Sequence, residues 1–128
     1  MSVRIVKAAP YFPAKKQSKN AGYLKFLHEL PCVVTGKFGV EAAHVSFPNA
    51  EYGSYGRGKG TKVADMFALP LSPEEHRRQH SGNEREYWAA VGINPHLLCL
   101  KLYCVWANYG DAATEFAIAI INQTRNEK

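Results

Sequence analysis

The run Ser72-Pro73-Glu74-Glu75-His76-Arg77-Arg78-Gln79-His80 constrains this chain more than any other stretch. Ser72 is a favoured N-cap, Pro73 suits the first helical position, and Glu75 stands where a capping-box acid belongs. A helix is therefore spelled out from residue 73. Its two histidines are four apart, so both project from one face, one turn above the other. That spacing lets two imidazoles bind one metal ion. The helix is short and polar, and carries no apolar stripe deep enough to bury both rings.

The neighbouring segments read as follows. Residues 1 to about 18 hold Pro10, Pro13 and the cations Arg4, Lys7, Lys15 and Lys16, which predicts an extended basic arm. From Asn20 to Leu30, Tyr23, Leu24, Phe26, Leu27 and Leu30 recur at helical spacing, and Pro31 closes that helix. The runs 32–35 and 40–45, joined by Gly36 to Gly39, predict a β-hairpin with His44 near the end of its second strand. Residues 46–62 carry four glycines and two tyrosines, which excludes regular structure. Within them Arg57, Lys59 and Lys62 sit among glycines that let the backbone approach a phosphate closely. Further helices are predicted over Glu84–Val91, ending at Gly92, then from Asn94-Pro95 to Gly110, and finally after Asp111 as cap. Residues 32–80 thus form a core, and 83–123 its helical support, within a single domain spanning 1–128.

Bulk properties narrow the class. A chain of 128 residues can bury one modest core. Its 46% apolar and 21% charged content excludes wholesale disorder. The net charge of +5 suits a polyanionic partner without demanding one. The odd set Cys32, Cys99 and Cys104 contains no Cys-x-x-Cys pair and is read as buried free thiols, not a disulfide framework. No window has the uninterrupted apolar character of a signal peptide or a membrane span, so a cytoplasmic protein with no membrane partner is expected.

Taken together, the strings VEAAHV and KVADMFALPLSPEEHRRQH resemble an HNH endonuclease, and with SKNAGYLKFLHELPCVVTGK they are similar to a phage and prophage HNH group that includes the RecA-dependent phage nucleases. The likeness covers about residues 18–95. The S-P-x-x-H-x-x-x-H run also looks like the metal-binding end of colicin-type DNases. The resemblance implies an α+β fold. Its centre is a small ββα-metal core, made of a β-hairpin, the glycine-rich loop and the ligand helix, packed on flanking N- and C-terminal helices. It implies that His44 is the general base that activates water, and that His76 and His80 hold one divalent ion (Mg, Mn, Zn or Ni). The ion would offset charge developing on the phosphate and on the leaving oxygen. DNA, single- or double-stranded, is the implied substrate, with Arg57, Lys59, Lys62, Arg77 and Arg78 as its contacts. A recombination or phage protein is an admissible second partner.

The chain departs from that pattern in two places. Many members carry a further ligand just before the base, where this chain has Ala43. Asp65 is the best replacement and is placed among the expected metal ligands, although it has two other readings, orienting His44 or capping local structure. Glu41 is a weaker stand-in. The positions at which relatives hold a structural zinc read Cys32, Thr35, Ser72 and Glu75, and one thiolate cannot bind it, so no structural zinc is expected. Two other function classes compete with a nuclease. One is a catalytically degenerate HNH scaffold that binds nucleic acid. The other is a metal-binding or protein-interaction module.

Overall fold

The computed structural model describes residues 19–55 and 63–127. The arm read over 1–18 and the loop cations Arg57, Lys59 and Lys62 lie outside the described residues. Among those described, the architecture is α+β, with five α-helices and one two-stranded antiparallel sheet.

Helix α1 (Ala21–Leu27) begins where the Asn20 side chain accepts the Tyr23 N–H at 3.0 Å, and it buries Tyr23, Phe26 and Leu27. It ends at His28, before Pro31 is reached. The sheet pairs β1 (Glu41–His44) with β2 (Ala68–Leu71), in the register Glu41 to Leu71 and His44 to Ala68. This corrects the expected hairpin, because residues 32–35 are not a strand. Their polar groups are used locally. Gly36 N–H donates to Cys32 O and Cys32 N–H to Lys37 O, both at 2.8 Å, and Gly36 takes φ +79°, a region glycine enters without steric cost. Only Val33 reaches the sheet, through its N–H to Pro70 O at 3.1 Å. The second strand comes instead from the apolar segment that leads into the histidine helix.

That helix, α2 (Pro73–His80), starts as the sequence spells it, with Ser72 Oγ accepting Glu75 N–H at 3.3 Å. Only half of the capping box forms. The Glu75 carboxylate accepts from Tyr87 Oη at 2.7 Å and Arg78 at 3.3 Å, while the Ser72 N–H is turned toward the Cys32 sulfur. Helix α3 (Glu84–Val91) is capped by Asn83 and stopped by Gly92 at φ +75°; α4 (Pro95–Tyr109) is capped by Asn94. The last helix, α5 (Ala113–Asn126), has no side-chain cap. Asp111 lies inside a 3-10 turn, Gly110–Ala112, that winds directly into the helix, so the expected cap is not made.

Helix α4 is the hub of the core, touching α1, α5, β2 and a 3-10 turn at Asp65–Phe67. Leu98, Cys99 and Leu102 from α4 join Tyr23, Leu27, Leu30, Leu69, Leu71, Ala117 and Ile121 in one apolar cluster. Cys32 and Cys99 are buried thiols, but Cys104 is exposed, because five residues along α4 turn it to the outer side. Among the described residues no single helix is long and apolar enough to cross a membrane.

Candidate active site

The sheet and α2 bring the predicted histidines onto neighbouring elements. His44 ends β1 and is half-buried. Its Nε2–H donates to Asp65 Oδ1 at 2.8 Å. The other carboxylate oxygen, Asp65 Oδ2, accepts the backbone N–H of Asn20 at 2.6 Å. Asp65 therefore has partners other than the helix histidines. Both oxygens are engaged, one orienting His44 and one tying the start of α1, so the expected grouping of Asp65 with His76 and His80 is not what its contacts show. A neutral histidine with its proton on Nε2 has a lone pair on Nδ1, the atom left to accept a proton.

On α2, His76 and His80 lie one turn apart, with ring centroids 4.8 Å from each other and the planes tilted by 49°. The His76 Nδ1–H donates to Glu41 Oε1 at 2.8 Å, which leaves Nε2 as the nitrogen with a free lone pair. A carboxylate on the far nitrogen of a metal-binding histidine fixes its tautomer and ring plane and raises its basicity. The donor set therefore fits a divalent ion held by two imidazoles, with waters or phosphate oxygens completing its shell. Among the described residues no three His, Cys, Asp or Glu side chains close on one point, so these histidines form a pair and not a triad. Ala43 is wholly buried and opposes Leu69, so the position before His44 is core and not ligand.

Sequence reasoning missed what holds these elements together. Helix α2 has no apolar residue beyond Pro73, so the face that packs inward must be polar, and it is made of Glu75 and Gln79, four apart and both buried. Gln79 Nε2 donates to His44 O at 3.0 Å and to Glu84 Oε2 at 2.8 Å. Glu84 also accepts the Ser46 N–H, at 3.0 and 3.2 Å to its two oxygens, and Trp88 Nε1–H at 3.2 Å. Glu75, through its bond to Tyr87, fixes α2 to α3; burial and that bond push the Tyr87 hydroxyl far above the usual phenol range. The lack of any apolar residue on a helix that must pack was the available signal.

Beneath the site, Cys32 Sγ accepts backbone N–H bonds from Val34 and Thr35, each at 3.4 Å. Burial works to raise this thiol, but its hydrogen bonds from Thr35, Ser72 and Val34 prevail and hold it below its ordinary range. His96, wholly buried, donates from Nε2 to Phe47 O at 2.9 Å and meets the Phe47 ring edge-to-face, fastening the loop after β1 to α4. The outer face of α2 exposes Arg77 and Arg78, beside Glu74 and Ser81.

Residues 8–107 match the model of a family described as a protein of unknown function, DUF968, and the chain belongs to that family. No curated protein matches the chain, and no solved structure does.

Proposed function

We propose that this member of the DUF968 family is a divalent-metal-dependent HNH-type endonuclease that hydrolyses DNA phosphodiester bonds. In this reading it is a cytoplasmic protein of phage or prophage origin. The observation that carries it is the His44–Asp65 pair, with His44 at the end of a strand that packs against the helix bearing His76 and His80. With β1, β2 and α2 as its parts, the assembly fits the ββα-metal core that the sequence resembles.

The chemistry follows from which nitrogens are occupied. His44 Nδ1 accepts a proton from the water whose oxygen attacks phosphorus, while the bond from phosphorus to the 3′ oxygen breaks. Asp65 fixes the tautomer that makes Nδ1 the base and offsets the positive charge that His44 gains. His76, through Nε2, and His80 would hold the ion, with Glu41 keeping the His76 ring in place. When bound, such an ion supplies Lewis-acid stabilisation of charge on the phosphate and on the leaving oxygen. In this reading Arg77 and Arg78, exposed on the same helix, contact backbone phosphates, and Arg57, Lys59 and Lys62 are the further contacts expected from the sequence. The test is plasmid cleavage with Mg²⁺, Mn²⁺, Ni²⁺ or Zn²⁺, comparing the wild type with His44→Ala and His76→Ala. Both substitutions are expected to abolish cutting; equal cutting by all three proteins would sink the assignment.

One observation favours a second reading. Ala43 is packed in the core at the place where relatives carry a ligand, which fits a scaffold that binds nucleic acid without cutting it. That reading expects salt-sensitive DNA binding, weakened by Arg77→Ala, with no cleavage under any of the four ions.

A further inference from the structure

Gln79 and Glu84 hold the backbone directly after His44, at the His44 carbonyl and the Ser46 N–H on either side of Val45. Gln79, with no exposed surface, spends both of its N–H hydrogens, one on the His44 carbonyl and one on Glu84. Glu84 in turn receives the Ser46 N–H on both carboxylate oxygens. The sheet does not fix this point alone, because its pairing ends at His44 opposite Ala68, followed only by Val45 N–H to Phe67 O at 2.8 Å. Gln79 also lies between the two metal-candidate positions along α2, three residues after His76 and one before His80. A single side chain therefore links the strand end that carries the base to the helix that carries the imidazole pair.

As a device for stability alone this arrangement is poor. A buried amide against a carboxylate costs desolvation, and an apolar side chain of equal volume often serves as well or better. Gln79 also leaves its Oε1 buried with no partner. What the pair does provide is direction. Its hydrogen bonds accept only a narrow range of strand-to-helix placements, whereas apolar packing tolerates sliding.

We propose that Gln79 and Glu84 are positioning residues that set His44 relative to His76 and His80. This rests on the nuclease reading for its catalytic consequence, but not for its structural one. Gln79→Met keeps the volume and removes the bond to His44 O. Glu84→Met keeps the length of the side chain and removes the acceptor for both Gln79 and the Ser46 N–H. Each variant is compared with the wild type in four measurements. These are circular dichroism for the fold, Ni²⁺ titration for the helix pair, imidazole ¹⁵N–¹H spectra of His44 across pH, and cleavage kinetics.

A folded variant is expected to bind Ni²⁺ within about twofold of wild type, with the His44 ring signals and their titration displaced. Its kcat is expected to fall about 10- to 100-fold with little change in KM, as for loss of an outer partner that orients a reacting group. Unmoved His44 signals with wild-type kcat would overturn the proposal. So would failure of both variants to fold, which would assign the pair to stability. Should the wild type itself cut no DNA, the nuclease reading fails while the ring spectra still decide the positioning role: displaced signals support it and unmoved signals refute it.

Discussion

The side of the molecule built on α1, α4 and α5 and the side built on the sheet with α2 and α3 are held by different forces. On the first, Tyr23, Leu27, Leu30, Leu102 and Ile121 are wholly buried and pack side chain against side chain. On the second, β2 and α3 lend Leu69, Leu71 and Trp88 to the same core, but the contacts that fix α2 and His44 are polar and paired: His44 with Asp65, His76 with Glu41, Gln79 with Glu84, Glu75 with Tyr87. Apolar contact is non-directional and repays burial in proportion to area. Hydrogen bonds contribute less net stability but fix angles and distances. The shared apolar core therefore supplies the free energy of folding, and the polar contacts of the sheet side convert part of it into a defined placement of titratable groups.

Substitutions on the two sides should separate along that line. The largest effect is expected from Leu102→Ala on the apolar side, which removes a fully buried side chain and costs about 2–5 kcal/mol by denaturant unfolding. Its folded fraction should still bind Ni²⁺ as the wild type does; a large loss of metal affinity would break the division. Next comes Asp65→Asn on the polar side, expected to lower any cleavage about 10- to 100-fold while changing stability by only about 1 kcal/mol. Unaltered turnover in that variant would remove Asp65 from the site.

A smaller effect joins the two sides at His96, which burial holds below the ordinary histidine range although its bond to Phe47 O and the nearby Glu84 oppose this. The folded protein keeps this imidazole neutral, while the unfolded chain protonates it at about pH 6.5. Stability is thus fully present above that pH and is lost as pH falls below it, until the lower folded value is reached. His96→Gln, which can keep the bond to Phe47 O, should flatten the fall in melting temperature as pH drops below about 6.5. A wild-type slope in that variant would move the effect elsewhere. The smallest effect is expected from Arg78→Ala: the guanidinium is mostly exposed and reaches Glu75 at only 3.3 Å, so stability should change by less than about 1 kcal/mol.

What could be read in advance follows the same division. Ser72 and the Asn94-Pro95 opening announce their helices, and the structure realises both caps. The cap expected at Asp111 is not made, and those at Asn20 and Asn83 emerge only from the structure. The pairing of His76 with His80 follows from helix geometry alone. The second strand was hidden because Ala68–Leu71 is buried at every position and so lacks the alternation of a half-buried strand, and because Pro70 argues against one. Residues 32–35 looked like that strand because Val33 and Val34 are β-branched, yet Gly36 and the amides around Cys32 close them into a turn. Glu84, Gln79 and Glu41 were not visible as connectors, since a polar residue on a short helix or strand reads as solvated surface unless its partner is known.

The turn at Cys32–Gly36 has a further partner at the other end of the chain. Arg125 on α5 donates to Thr35 O at 3.2 Å, and its guanidinium lies 2.6 Å from where a β-carbon on Gly36 would stand. The contact joins residues 90 apart. Closing so long a loop costs entropy before it returns any contact energy, which places this lock late on the folding route. On a ribosome the turn would wait until the final helix had emerged, while α1 and α4 could already pack. Arg125→Ala should then accelerate unfolding and leave the refolding rate nearly unchanged, the kinetic mark of an interaction made after the transition state.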